Sequence, residues 1–345
     1  MKLYTNKSVF EAALERIRFL FDEFENVSVN FSGGKDSTVT LELALIVARE
    51  KKRLPLSVFF LDQEIEWSCV IDYIRGVMAR DEIDPQWLQV PFRMYNATST
   101  LSPWLKCWEP GAQWMRDREP DSIHENVFDE DRYAKMYEAF TRYHHPETPF
   151  ARIAGVRCEE SPARMRGLTT YATYKHVTWG KIEDKRVGHF TFYPIYDWSY
   201  TDVWKAINDG PWEYCSLYDS MYQYGVPIRN MRVSNLHHET AVRNLFHLQE
   251  IESQTWERAV QRIAGINTAG HLQKDFYRPS KLPFMFQSWS EYRDHLLEKL
   301  IVDPSMRERM AREFAAIEKR YVPEIQGALL KAQIAAIITG DYEGT

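Results

Sequence analysis

Apolar residues recur at helical spacing from near the start of the chain. Val9, Ala13, Leu14, Ile17, Leu20, Phe21 and Phe24, with charges between them, predict a helix over residues 8–25. The pattern then shifts to alternation in Val27-Ser28-Val29-Asn30-Phe31, a short strand. A polar, glycine-bearing segment follows at 32–38, and the Leu, Ala and Glu of 39–53 predict a second helix that Pro55 stops. Leu56–Leu61 is almost wholly apolar, the pattern of a strand buried on both faces. Strand, helix and buried strand in succession make a βαβ unit, and hence a parallel sheet covered by helices.

Further on, the periodicity predicts a helix over 67–80 and strands near Trp87–Val90, Phe150–Val156 and Phe190–Ile195. A short helix over 201–208 takes Ser199 or Thr201 as its N-cap. Residues 93–150 are less regular, hold Trp104, Trp108 and Trp114 with several prolines and an acidic run, and read as an insertion or lid. From about residue 238 the pattern is helical to the end, punctuated by Pro279, Pro283, Pro304 and Pro323. The expected architecture is an α/β, doubly wound parallel sheet over residues 1–237, with the insertion at about 93–150, followed by a helical region at 238–345.

Composition narrows the class. With 44% hydrophobic and 27% charged residues, the chain is neither disordered nor fibrous. A net charge of −6 excludes a globally basic nucleic-acid coat, leaving only a local groove, for which Lys51-Lys52-Arg53 and the arginine-rich stretch 152–166 are the candidates. Residues 1–7 lack the apolar core of a signal peptide, and no run reaches the roughly 18 apolar residues that span a bilayer. Cys69, Cys107, Cys158 and Cys215 are far apart with no C-x-x-C pair, so they suit neither a disulfide framework, a zinc ribbon nor an iron–sulfur cluster. A cytoplasmic protein with reduced thiols is expected. The pairs His144-His145 and His237-His238 lack supporting ligands at metal-binding spacing, so no structural metal is assigned.

The chemistry concentrates in Ser32-Gly33-Gly34-Lys35-Asp36-Ser37-Thr38. A Gly-Gly turn between a buried strand and a helix lets the backbone approach an anion closely and aims free N–H groups at it from the helix's positive end. Lys35 adds a full charge, and Ser32, Ser37 and Thr38 add hydroxyls. The adjacent glycines distinguish this from a Walker loop. Arg157, Arg164 and Arg166 follow a buried strand, where guanidinium forks can clamp phosphate or sulfate oxygens, or pair with Glu159 and Glu160 instead. Asp62 falls at the carboxyl end of the second strand, where open α/β sheets bind ligands. Asp36 is a candidate for holding the loop in shape.

Ser32-Gly33-Gly34-Lys35-Asp36-Ser37 resembles the SGGxDS signature of the PP-loop ATP pyrophosphatases. Gly155-Val156-Arg157-Cys158-Glu159-Glu160-Ser161-Pro162-Ala163-Arg164 is similar to the arginine segment of the phosphoadenosine phosphosulfate (PAPS) reductase family. The stretch from Tyr193 to Trp204 resembles its P-[IL]-x-x-W-[ST]-x-x-D-V-W segment. In that last stretch the Asp197-Trp198 and Asp202-Val203-Trp204 residues read as structural, through capping carboxylates and packed rings. The resemblance implies an adenine nucleotide α-hydrolase-like fold, a bound adenine nucleotide carried with Mg²⁺, and a site built from Ser32, Gly33, Gly34, Lys35, Asp36, Ser37, Thr38, Asp62, Arg157 and Arg164. Lys35 and Arg157 would be its catalytic cations. The implied reaction cleaves the α–β phosphate bond, releases pyrophosphate and adenylates an acceptor.

The resemblance breaks at one point: PAPS reductases use a cysteine near the C-terminus, and no cysteine follows Cys215. PAPS reduction and sulfate adenylylation are therefore alternatives, and a third is a nucleotide sensor without turnover. The helical region from 238 resembles that of the immunoglobulin-binding regulator A-like subfamily, which implies a ParB-like protein partner and a paired system acting on nucleic acid, a nucleotide or gene expression.

Overall fold

The computed structural model describes residues 6–96, 98, 104–228, 231–233, 236, 245–263, 265–266, 281–319 and 326–339. Helix α1 (Val9–Glu23) starts where Ser8 and Glu11 cap each other: the Glu11 N–H donates to Ser8 Oγ at 3.2 Å and the Ser8 N–H to Glu11 Oε2 at 3.1 Å. Its apolar stripe, Ala13, Leu14, Ile17, Leu20 and Phe21, is buried. Strand β1 (Asn26–Asn30), helix α2 (Lys35–Glu50), strand β2 (Leu56–Leu61), helix α3 (Ser68–Met78) and strand β3 (Ile83–Leu88) then form two consecutive βαβ units. Helix α2 begins four residues before Val39, so much of the polar segment is not loop but the first helical turn. Strand β3 starts earlier than its apolar residues suggest because it carries Pro85, which the sheet tolerates at an edge.

Two short strands, β4 (Phe92–Tyr95) and β5 (Trp104–Cys107), pair with each other. Helix α4 (Tyr133–His144) leads into β6 (Phe150–Ile153), and a helical turn at Cys158–Glu160 precedes α5 (Pro162–Thr169). Strands β7 (Gly180–Asp184) and β8 (His189–Phe192) follow, then α6 (Tyr200–Asp209) and α7 (Leu217–Gln223). The six-stranded sheet runs β3-β2-β1-β6-β8-β7, parallel except for β7, which is antiparallel to β8. Right-handed crossovers through α2 and α3 step in one direction and so share a face. Helix α4 covers the other, laying Phe140 and Tyr137 against Phe59 with ring centroids 4.8 and 5.0 Å away. The sheet is an α/β fold of the doubly wound kind. The short polar β7 and the helix α7 have no apolar period that announces them.

Arg152 on β6 is buried on the α4 face. It donates to the Tyr137 carbonyl at 2.9 Å and to Thr141 Oγ1, with its guanidinium 5.7 Å from the Phe59 ring. Burial depresses its pKa. Arg53 likewise points inward, to the carbonyls of Phe21, Phe24 and Glu25, while Lys51 pairs with Asp22. These residues of the two basic stretches are spent within the protein rather than on a groove.

Contacts gather the chain into two units. The first is Met1–Gln63, Ser68–Phe92 and Asp117–Val233, and holds the six-stranded sheet. The second is Glu64–Trp67, Arg93–Arg116 and Ser234–Thr345. The region expected as a single insertion is thus divided: residues 93–116 belong with the second unit and 117–150 with the first. The second unit's helices include Leu245–Ile251, Ser253–Arg262, Trp289–Leu300, Pro304–Glu318 and Gln326–Thr339. Pro304 opens its helix at the first position, where a missing N–H costs nothing, and Asp303 caps it. Leu297, Ile301, Met310, Phe314 and Ile337 form a core here. Among the described residues no helix is long and apolar enough to cross a membrane.

Replacing Phe59 by alanine removes the ring that both α4 and Arg152 pack on. Phe59→Ala should cost about 3–5 kcal/mol, read as a lowered midpoint in urea denaturation.

Candidate functional site

Strand order reverses at β1, which has β2 on one side and β6 on the other. The carboxyl ends of β1 and β6 therefore flank the crevice where open α/β sheets bind ligands. Gly33 leaves β1 with φ +72°, and a Cβ there would meet Val70 and Ile74 of α3 at 3.1 and 3.2 Å, so backbone and packing both demand glycine. Gly34 is the N-cap of α2 and has no side chain to satisfy the first turn. The N–H groups of Gly33, Gly34, Asp36 and Ser37 consequently have no acceptor among the described residues. They lie at the positive end of a 16-residue helix.

The segment after β6 closes onto this turn. A Cβ on Gly155 would lie 2.7 Å from the Asp36 carbonyl carbon and oxygen and 2.9 Å from the Ser37 nitrogen. Only glycine lets the chain that carries Arg157 run against the first turn of α2.

Asp36 organises the charges. Lys35 Nζ is 3.2 Å from Asp36 Oδ2 and donates to the Met231 carbonyl at 3.2 Å. Arg157 Nε donates to Asp36 Oδ1, and its Nη1 donates to Glu159 Oε2 at 3.0 Å. Lys35 and Arg157 are each only 5% exposed, so these pairs are poorly screened. Burial draws the Arg157 guanidinium down, but Asp36, Glu160 and Glu159 outweigh it and hold the pKa above its usual value.

The hydroxyls divide. Ser37 Oγ donates to the Gly34 carbonyl at 2.8 Å and accepts from the Ser32 N–H at 3.2 Å, so Ser32 and Ser37 shape the turn. Thr38 Oγ1 lies 3.0 Å from the Tyr73 hydroxyl, which donates to the Glu213 carbonyl; Thr38 therefore faces α3. Burial pushes the Tyr73 hydroxyl up to about 12. Asp62 is fully buried after β2 and accepts from Trp87 Nε1 at 2.8 Å and Gln89 Nε2 at 2.9 Å. Gln89 in turn accepts from the Glu119 N–H and the Ser122 hydroxyl, both at 2.6 Å. Asp62 thereby fixes the chain beyond β3. Arg164 pairs with Glu160 on α5, and Arg166 is exposed there.

Three residues outside the expected set complete the site. Tyr218 on α7 is buried, accepts the Lys35 N–H at 2.9 Å, and places its ring 5.4 Å from Lys35 Nζ. Burial drives its hydroxyl pKa well above the usual value. Trp204 stands edge-on to it at 5.1 Å, so the motif tryptophan supports the residue that supports the loop. Gly155 is the third. Nothing in the sequence around Tyr218 marks it, whereas Gly155 is visible as the first residue of the arginine segment. Elsewhere in the motifs, Asp202 and Ser199 form a capping box, Arg16 makes a two-pronged 2.7 Å pair with Asp197, and Trp198 Nε1 donates to the Val9 carbonyl at 3.1 Å.

Among the described residues no group of three or more His, Cys, Asp or Glu is placed to hold a metal. His144 and His145 end α4, where burial depresses both pKa values; His237-His238 lie outside the described residues.

A Gly-Gly turn whose N–H groups have no acceptor among the described residues, with a buried lysine beside it, at the reversal point of a mostly parallel sheet, is the arrangement of a PP-loop nucleotide-binding protein. Residues 26–224, more than half of the chain, match the phosphoadenosine phosphosulfate reductase domain, and the chain belongs to that family. Residues 225–343 match a domain of unknown function (DUF3440). The uncharacterized protein YbdN of Escherichia coli (strain K12) is 29% identical over 324 residues, covering 89% of this chain and 77% of that protein. Among solved structures, Candida glabrata FMN adenylyltransferase in complex with ATP is similar at 15% identity and a TM-score of 0.38, over 63% of this chain. The chain spans 62% of that enzyme's length. A PAPS reductase from Candida auris, a phosphate complex, is similar at 14% identity and a TM-score of 0.35, over 63% of this chain and 93% of that one.

Gly155→Ala drives a methyl into the backbone of α2. It should destabilise the fold by about 1–3 kcal/mol by overpacking, measured by urea denaturation. Tyr218→Phe removes the acceptor of the Lys35 N–H and should cost about 1 kcal/mol in the same assay.

Proposed function

We propose that the chain binds an adenine nucleotide such as ATP at the turn between β1 and α2 and cleaves it between the α- and β-phosphates. Pyrophosphate leaves and the adenylyl group passes to an acceptor. The observation that carries this reading is the first turn of α2, where four N–H groups lack acceptors among the described residues beside a buried lysine. Membership of a family named for a phosphoadenosine substrate agrees with an adenine nucleotide as the ligand.

An acceptor oxygen would attack the α-phosphorus, and the bond to the bridging oxygen would break with its electron pair on the departing pyrophosphate. Backbone N–H groups and Lys35 then face growing negative charge, in a site too buried for water to screen them. To reach the phosphates, Lys35 exchanges Asp36 and the Met231 carbonyl for phosphate oxygens. Arg157 keeps its charge through Asp36 and Glu159 and faces the same crevice from β6. Arg164, on α5, is the cation available to a second anion. Mg²⁺ would arrive on the nucleotide, neutralising phosphate charge, with Asp36 as the carboxylate of the loop able to share it.

A sulfonucleotide reaction is the second reading. Cys107 and Cys215 are fully buried, whereas Cys69 and Cys158 are partly exposed, and Cys158, on the turn next to Arg157, is the thiol this reading would use.

Purified protein incubated with Mg²⁺ and ATP, and separately with PAPS and reduced thioredoxin as the electron donor, separates the readings when products are resolved by ion exchange. AMP with pyrophosphate is the expected result. Phosphoadenosine phosphate with sulfite would install the second reading instead. Lys35→Ala should lower pyrophosphate release by about 10²–10³-fold with the circular dichroism unchanged, and unchanged release would remove the loop from the reaction.

A further inference from the structure

At the amino-terminal ends of the strands, opposite the PP-loop, a cavity of about 460 Å³ lies between the sheet and the end of α4. Asn26, Leu56 and Phe150, the first residues of β1, β2 and β6, border it on one side, and His144 and His145 on the other. The whole lining belongs to the first unit.

The register of the sheet explains the space. Arg152, Ser28, Ser57 and Asp84 are successive partners across β6, β1, β2 and β3, so their side chains share one face. On that face Arg152 and Phe59 reach α4, and the Phe150 ring lies 4.7 Å from that of His145. Two adjacent serines in the same layer are too small to close the gap that these bulky neighbours fill.

Those serines are also unsatisfied. Ser28 lines the cavity at only 4% exposure, and neither its hydroxyl nor that of Ser57 has a hydrogen-bond partner among the described residues. A buried hydroxyl in this state costs free energy until something in the cavity pairs with it. The His144 ring and Nε2 of His145 likewise lack hydrogen-bond partners among the described residues, while Nδ1 of His145 lies 3.4 Å from Thr148 Oγ1. Burial lowers both imidazole pKa values, so at neutral pH each ring is uncharged and carries one donor and one acceptor nitrogen.

The charges around the cavity do not select an ion. Arg53 donates to the carbonyls of Phe21, Phe24 and Glu25, and Asp84 accepts from Gln86 Nε2 at 3.1 Å. The Glu25 side chain lines the same space. A bound anion would face the two carboxylates, and a bound cation the guanidinium.

We propose that this cavity binds a small neutral polyol of monosaccharide size. Hydroxyl groups donate and accept at once, which is what Ser28, Ser57 and two neutral imidazoles require, and no buried charge is left unbalanced. The volume lies within the roughly 300–1,000 Å³ of small-molecule sites. The proposal is independent of the reaction at the PP-loop.

D-Glucose is the probe, titrated into the full chain and followed by saturation-transfer NMR on the ligand. Saturable binding is expected, with a dissociation constant on the order of 1–10 mM for so small a neutral ligand. Ser28→Ala should weaken it about fivefold or more. The same variant should leave the urea-denaturation midpoint of the free protein unchanged or raised, because it deletes a hydroxyl that the fold does not satisfy. Ser57→Val fills the space and should abolish binding. His144→Phe keeps a ring without nitrogens and should weaken binding, whereas Lys35→Ala should leave it unchanged. No saturable binding, which would make water the occupant, would overturn the proposal. So would glucose affinity unaltered in both serine variants, or tighter binding of gluconate or glucosamine than of glucose.

Discussion

The first turn of α2 is the constraint around which the first unit is arranged. A helix that starts on Gly34 cannot satisfy its own leading N–H groups, and among the described residues only the Lys35 N–H finds a partner, the Tyr218 hydroxyl. Tyr218 takes the Lys35 N–H, Ser37 folds back on Gly34, and Gly155 brings the β6 segment into backbone contact. Each of these contacts fixes the turn while leaving the remaining donors turned to the crevice. The two motif tryptophans act at a distance: Trp204 braces Tyr218, and Trp198 ties α1 to the start of α6. Residues that never reach a ligand thus decide the geometry of those that would.

Asp62 and Arg152 show how polar groups serve the frame. Both are buried, and each is hydrogen-bonded to neighbouring parts of the fold. An unsatisfied charge in such a place would cost several kcal/mol, so each is matched by an indole or amide donor, or by a main-chain carbonyl. Arg152 in β6 ties α4 to the sheet through the Tyr137 carbonyl and Thr141, and Asp62 passes order through Gln89 to residues 119–122.

Much of this arrangement is legible in the amino-acid sequence itself. The alternation of Val27–Phe31, the apolar run Leu56–Leu61 and the helical stripe of α1 each carry one period, and each folds as that period requires. Gly33, Gly34 and Lys35 stand out because few residue types tolerate a tight turn with charge. The irregular middle is not legible. Residues 93–116 and 117–150 join different units through long-range packing, which leaves no local pattern. Tyr218 escapes for the same reason, since a tyrosine in a short helix has no spacing that points across the fold to Lys35. Thr38 groups with the loop hydroxyls by adjacency alone, yet one further step along the helix turns it toward Tyr73. Arg164 reads either way from its neighbours, and the Glu160 pairing follows simply from a spacing of four on the surface.

The shared carboxylate of Asp36 has a consequence for selectivity. Because Lys35 already holds a counter-ion, a ligand entering the crevice does not neutralise a bare charge but competes with a carboxylate for it. Affinity is then the difference between two ion pairs in the same poorly screened place. A monoanion gains almost nothing by the exchange, whereas an anion carrying several charges along a chain gains at Lys35 and at the helix donors together. On the proposed reading, the built-in competitor would make the crevice a discriminator of charge number, set against the abundant simple anions of any aqueous milieu.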